Sequence, residues 1–373
     1  MHIFPITSFV VKVHSLCNLN CDYCYEYNMG NSSWKSKPKR LQLITFRKLI
    51  ERISEHLSFH KCTVAPFISF HGGEPLLLPA SYFDEAITLA RCIIPEIEFG
   101  MQTNGVLLTQ EYLDCFIKHG LRLGISLDGP KTVNDAHRVD HKNKGSFDRV
   151  MKAIQLLKRG ENAQAWGGVL CVMDIGVSPQ SLIDFFMSLD PPNLDFLEPN
   201  GNWERLPPGK SSTTSTEYAE WLKAAFDWWF HDKSHFKIRR FEEIIELLLG
   251  GSGSMEYFGT NPVPLITVGT DGSYEAVDQV KAAFDGAETL GLNLFDHSLD
   301  DVIAHPMVQD RLSGTAALSH ECLECSYRDA CGGGYYPHRY KNSNGFQNPS
   351  IYCSDYKVLF EHIGAVLKKE LSR

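Results

Sequence analysis

No stretch of this chain comes near the ~20 consecutive apolar residues that a membrane-spanning helix needs. The first residues, Met1 to Val11, offer neither a basic leading segment nor a small-residue cleavage site, so no secretion signal is expected. Positive charge is scarce as well. Lys and Arg number 36 against 45 Asp and Glu, and the formal net charge of −9 argues against a general nucleic-acid surface. No internal repeat or low-complexity tract interrupts the 373 residues. These absences leave a globular chain, 43% hydrophobic and 22% charged, long enough for one large core and a smaller module. Neither a membrane nor a nucleic acid is expected as a partner, and the expected compartment is the cytoplasm.

Cysteine is plentiful. There are 11, an odd number, and seven of them fall into two clusters. Without a secretion signal, that pattern favours metal binding over disulfides. Cys62, Cys92, Cys115 and Cys171 are scattered, mostly among apolar neighbours, and read as core thiols. The first cluster is the run Cys17-Asn-Leu-Asn-Cys21-Asp-Tyr-Cys24. Three thiolates this close can surround one metal centre, but they supply no fourth ligand. A structural zinc or iron site closes with four protein ligands, whereas a catalytic one keeps a position open. A three-thiolate 4Fe–4S cluster leaves one iron free for a small molecule; a zinc-ribbon fragment and three neighbouring buried thiols are the alternatives.

From residue 9 to about residue 200, short apolar runs alternate with amphipathic helical stretches. Strands are expected at Phe9–Val13, Pro66–Phe70, Glu98–Gln102, Arg122–Ser126, Ala165–Val172 and Asp195–Leu197. Helical spacing separates them, as in Phe46, Leu49, Ile50 and Ile53. This repetition predicts an α/β fold with a parallel sheet and crossover helices, about six units long: a partial (β/α)6 barrel of the TIM type. Expected boundaries are 1–216 for the barrel, 217–264 for bridging helices and 265–373 for a C-terminal module. Pro199–Thr216 reads as a mobile connection, and Leu265–Val277, centred on Asp271-Gly272, as a hairpin.

In such barrels the chemistry sits at the C-terminal ends of the strands. Four polar motifs follow expected strands: the cysteine run, His71-Gly72-Gly73-Glu74-Pro75, Gln102-Thr-Asn104-Gly105 and Ser126-Leu-Asp128-Gly-Pro130. Gly72 and Gly73 let the backbone approach a ligand, and Glu74 adds a carboxylate. The amides of Gln102 and Asn104 suit sugar hydroxyls. Arg138, twelve residues after Ser126, could clamp a carboxylate with two parallel hydrogen bonds. Taken singly, each motif has a plain structural reading: a glycine turn, a solvated arginine. Glu198, ending the last expected strand, is a further carboxylate at this rim.

The second cluster is Cys322-Leu-Glu-Cys325-Ser-Tyr-Arg-Asp-Ala-Cys331, with Cys353 downstream. Four thiolates are the count for a closed site, zinc or 4Fe–4S.

Cys-x3-Cys-x2-Cys with an aromatic before the last cysteine, Tyr23, resembles the cluster motif of radical S-adenosylmethionine (radical SAM) enzymes. The resemblance implies that Cys17, Cys21 and Cys24 hold a 4Fe–4S cluster whose open iron binds S-adenosylmethionine, cleaved to a 5′-deoxyadenosyl radical. It also implies that Tyr23, Gly72, Gly73, Glu74, Gln102, Asn104, Ser126 and Arg138 surround that cofactor. The C-terminal cysteines resemble the SPASM/twitch-like iron–sulfur module of peptide-modifying radical enzymes, Cys-x2-Cys-x5-Cys-x3-Cys with one more downstream. Tyr335 stands where the fourth cysteine of that signature would be, and Asp271–Asp278 lacks the upstream pair. The expectation is therefore one auxiliary 4Fe–4S cluster, on Cys322, Cys325, Cys331 and Cys353.

The run Cys331-Gly-Gly-Gly-Tyr-Tyr-Pro-His-Arg-Tyr340, with Trp34 and Pro38, is similar to the radical enzymes that build cyclophanes in ribosomally synthesised peptides. That likeness implies abstraction of a Cβ hydrogen and a carbon–carbon bond to an aromatic ring, with Asp278 as the base. Other outcomes of the same radical are an ether or thioether crosslink, epimerisation or formylglycine formation. A non-catalytic Fe–S or Zn peptide-binding protein stands further off. Expected partners are a precursor peptide, leader and core, and an external electron donor such as flavodoxin or ferredoxin. No leader-recognition domain is expected ahead of the first strand.

Overall fold

A computed structural model describes residues 4–231, 237–253 and 255–372. It divides into two compact units. The first is Met1–Leu127, Asn134–Val169 and Pro264–Gln309; the second is Asp128–Val133, Leu170–Val263 and Asp310–Arg373. The hairpin segment belongs to the first unit because it pairs back onto the first strand.

In the first unit, strands and helices alternate: β1 (Ser8–His14), α1 (Leu43–Phe59), β2 (Phe67–Gly72), α2 (Ala80–Ile93), β3 (Glu98–Thr103), α3 (Gln110–His119) and β4 (Arg122–Ser126). β1 pairs in parallel with β2, β2 with β3 and β3 with β4. The protein thus has an α/β fold with a parallel sheet. α1 forms because Phe46, Leu49, Ile50, Ile53 and Leu57 recur at helical spacing and all are buried. α3 ends where Gly120 takes the left-handed conformation at φ 64°. Behind β2 and β3 the aromatic rings interlock. Phe70 meets Phe46, Phe83 and Phe99 at centroid distances of 5.9, 5.3 and 5.4 Å.

On the other side of β1, β8 (Leu265–Val268) pairs with it in parallel, then turns through Asp271 into antiparallel β9 (Ser273–Glu275), followed by β10 (Thr289–Asn293). A short 3-10 turn, Asp278–Ala282, leaves β9.

The second unit holds α6 (Pro179–Leu189), β6 (Asn193–Leu197), α7 (Glu217–His231), the two-residue β7 (Lys237–Ile238), α8 (Arg239–Leu248) and a C-terminal helix, Cys353–Leu371. Helices α4 (Lys131–His137) and α5 (Phe147–Leu157) precede β5 (Trp166–Val172). Two buried ion pairs tie the second unit together. Lys210 meets Asp355, both side chains fully sealed, so the expected mobile connection is in fact anchored. Arg240 grips both oxygens of Glu198, and Tyr356 donates to the same carboxylate. Glu198 is therefore a structural partner and not a carboxylate open to a ligand. Among the described residues, no helix is long and apolar enough to cross a membrane.

Candidate active site

β1 delivers the cysteine loop, and backbone hydrogen bonds fix it at both ends. Asn20 and Asp22 donate to the carbonyls of Val139 and His137; Cys24 and Asn28 close turns onto Cys21 and Cys24. The glycines of the Gly-Gly-Glu-Pro turn are dictated by this loop. A Cβ on Gly73 would sit 1.9 Å from the Tyr27 hydroxyl and 2.4 Å from the Leu16 carbonyl. Their absence lets Gly73 and Glu74 donate to His14 and Leu16 at 2.8 and 3.0 Å.

Glu74 is 1% exposed. Its carboxylate accepts from the Leu76 amide (3.0 Å), the Thr103 hydroxyl (2.5 Å) and the Asn104 amide (2.9 Å). Both oxygens are taken by protein donors, so Glu74 binds the turn after β2 to the turn after β3 and does not face open space. Asn104 in turn donates its side chain to Asn18 at 2.8 Å and reaches the Cys17 sulfur at 3.7 Å. Gln102 donates to the Ser126 hydroxyl at 2.8 Å. Arg138, 8% exposed, donates to the Tyr23 hydroxyl at 2.7 Å and stands close enough for its charge to act on Glu74. The structure thus brings Cys17, Glu74, Asn104, Tyr23 and Arg138 into one neighbourhood and pairs Gln102 with Ser126.

Burial, then the charge of Glu74, pushes the Cys17 thiol up; burial, then Cys21, pushes Cys24 up to about 12. The charge of Cys21 adds to both shifts, so holding these groups together as thiolates calls for a cationic partner.

Asp278 opens the 3-10 turn after β9 and is 8% exposed. One of its oxygens takes the Lys12 ammonium at 2.9 Å and the Tyr25 hydroxyl at 2.5 Å. His71 Nδ1 lies 3.8 Å away. Lys12 also reaches Glu26 at 3.1 Å; Lys281 bridges Glu26 and Glu275 at 2.8 and 3.2 Å, and Lys37 pairs with Glu275. Three cations face three carboxylates, and this balance keeps the buried set neutral. Burial alone would raise Asp278, but Lys12, then His71 and the Tyr25 hydroxyl, hold it well below the usual carboxylate range. Glu26 is likewise drawn down to about 2 by Lys12 and Lys281 against the effect of burial. None of Lys12, Tyr25, Glu26, His71 or Lys281 was assigned a role from the sequence. The signal available was a lysine inside the apolar strand Phe9-Val-Val-Lys-Val13, buried on both sides.

In the second unit, Cys322, Cys325, Cys331 and Cys353 border one cavity with Tyr327, Tyr356 and Phe360. Burial, then Cys353 and Cys322, pushes Cys331 up to about 12. Zinc bonds of about 2.3 Å to sulfur require thiolates roughly 3.8 Å apart. Among the described residues, the only His/Cys/Asp/Glu triads whose ligand atoms all lie within 4.8 Å are His56–His60–Asp300 and Asp84–Cys115–His119. Four thiols bordering one cavity match the ligand count of a closed 4Fe–4S or metal site. Tyr335, in place of a further cysteine, is 1% exposed and stacks on Tyr257 at 4.4 Å. Its hydroxyl donates to Glu256 at 3.2 Å.

Against known proteins, residues 11–186 match the radical SAM superfamily profile. The chain is 24% identical to a cysteine-type anaerobic sulfatase-maturating enzyme of Clostridium novyi, over 95% of this chain and 94% of the relative. It is 25% identical to the serine-type enzyme of Bacteroides thetaiotaomicron, over 98% and 92%. Its fold is like that of anSMEcpe with bound AdoMet, with a TM-score of 0.81 at 23% identity, covering 98% of this chain and 99% of that one. It is also like that of Streptococcus suis SuiB, with a TM-score of 0.61 at 16% identity, over 92% and 76%.

Proposed function

We propose, for a chain whose residues 11–186 form a radical SAM domain, that the enzyme oxidises a side chain of a peptide or protein at Cβ. Its cofactors are S-adenosylmethionine and 4Fe–4S clusters, and reductive cleavage of the cluster-bound S-adenosylmethionine supplies the hydrogen-atom abstraction. Cys17, Cys21 and Cys24 would hold the catalytic cluster, and Cys322, Cys325, Cys331 and Cys353 the auxiliary one. Glu74 and Asn104 keep two turns in register beside Cys17. Arg138, with Tyr23 on its guanidinium, offers its charge to the carboxylate of the cofactor. Asp278 receives the proton that the oxidised substrate sheds. The observation that carries this reading is the hydrogen bond from Tyr25, the residue next to Cys24, to Asp278, whose carboxyl Lys12 holds well below its usual range.

The product best supported is formylglycine, because relatives aligned over nearly the whole chain are sulfatase-maturating enzymes of cysteine and serine types. A second reading is a cyclophane crosslink. Its support is the single four-thiolate set, with Tyr335 packed where the family resemblance would place another cysteine. A carboxylate held so low is also suited to an unusually acidic proton, such as that lost as a ring regains aromaticity.

The test is anaerobic incubation of the reconstituted enzyme with the Cp18Cys peptide, which is bound in a solved structure of anSMEcpe, and with candidate precursor peptides. Formylglycine is read as an aldehyde that forms a hydrazone, and a crosslink as loss of two hydrogens without an aldehyde. Absence of 5′-deoxyadenosine with every substrate would refute the assignment.

A further inference from the structure

Two of the side chains gathered around Asp278 are only partly buried: Tyr25, whose hydroxyl is already given to Asp278, and His71. The side chains of Lys12, Glu26, Asp278, Lys281 and Glu275 are exposed by 5, 8, 11, 2 and 2%, whereas that of His71 keeps 24%. His71 leads the Gly-Gly-Glu-Pro turn from the end of β2, and the functional reading above gives it no task. Its Nδ1 lies 3.4 Å from the Lys12 ammonium. An ammonium has no lone pair, so Nδ1 must accept, and the ring in this arrangement is neutral with its hydrogen on Nε2. Burial, then the charge of Lys12, lowers the imidazole to about 4.

We propose that His71 is the proton exit of this site: a proton that reaches Asp278 passes through Lys12 to His71 and from there to water. The proposal rests on the reading of Asp278 as the acceptor of the substrate proton. Asp278 must return to its ionised form after each turnover, yet it is wedged between Lys12 and the Tyr25 hydroxyl with little access to water. The transfer balances without moving electrons. The Asp278 carboxyl gives its O–H proton to Lys12 Nζ as Lys12 gives an N–H proton to His71 Nδ1. Carboxylate and ammonium are restored, and the ring becomes an imidazolium. It loses one proton to water, and the neutral ring that accepts from Lys12 returns. The charged groups that face this ring are Lys12 from β1, Asp278 from the turn after β9 and Glu26 from the cysteine loop. Lys12 disfavours the imidazolium, which suits a group that must shed its proton quickly.

Two measurements on the reconstituted full-length enzyme test this. Nitrogen-detected resonance of ¹⁵N-histidine protein, with His71→Gln for assignment, should show a neutral Nε2–H ring at pH 7. A charged ring, or hydrogen held on Nδ1, overturns the proposal whether or not a substrate is in hand. With the Cp18Cys peptide as probe, His71→Gly should slow turnover by about 100-fold, the lower end of acid–base contributions, and added imidazole should restore it. His71→Gln should be slow and not rescued. Wild-type turnover by His71→Gln between pH 6 and 9 overturns the relay. Wild-type turnover by Asp278→Asn instead refutes the reading of Asp278 as acceptor, while the resonance measurement still decides the state of His71.

Discussion

The ammonium of Lys12 stands 2.9 Å from the carboxylate of Asp278, joining the first strand to a turn 266 residues further on. Lys12→Met would leave Glu26 and Asp278 as neighbouring buried carboxylates with one cation fewer. Removing one partner of a buried pair costs about 3–5 kcal/mol, and chemical denaturation should read a loss of that order. Lys12→Met/Asp278→Asn, which removes one charge of each sign, should recover part of it.

The same network sets an acid limit. Asp278 and Glu26 lie below their ordinary range when folded, so their contribution is complete above that range. It drains away as pH falls, for Glu26 between its ordinary 4.5 and about 2. Stability followed by circular dichroism from pH 6 downward should fall through this window. Asp278→Asn should flatten the fall.

Glu74 supplies a different prediction. Glu74→Gln keeps the shape but replaces one accepting oxygen with a donor that opposes the Thr103 hydroxyl or the Asn104 amide. Hydrogen bonds to a charged group contribute about 1.5–3 kcal/mol each, so the melting temperature should drop measurably. S-adenosylmethionine affinity, measured by equilibrium dialysis, should weaken because the turn beside Cys17 loosens. Unchanged affinity would separate Glu74 from the cofactor site.

Two clusters predict about eight irons per chain after anaerobic reconstitution. Cys17→Ala and Cys331→Ala should each leave about four. Only Cys17→Ala should abolish 5′-deoxyadenosine outright.

Much of this was legible beforehand, for reasons that differ by residue. Strand–helix alternation located β1 to β4 within two residues because apolar runs and glycine turns are local signals. Cysteine spacing marked two groups of thiols, the second of which the fold gathers around one cavity. The partner of a charge is not a local property. Nothing near Lys12 indicates that Asp278 balances it, and nothing in the Gly-Gly-Glu-Pro turn indicates that Glu74 is already satisfied by Thr103 and Asn104. The Pro199–Thr216 stretch reads as mobile for the same reason: it is polar and rich in Pro and Ser, and nothing near it shows that Asp355 stands opposite Lys210.

The Tyr335–Tyr257 stack, finally, bears on whether this position could take a metal ligand. Tyr335→Cys would place a thiol at the position, but the space is a filled aromatic joint. The substitution should behave as a ring deletion, costing about 3–5 kcal/mol with no additional iron bound. Such a position guards the joint against new chemistry: a single change costs stability before it can bring a ligand.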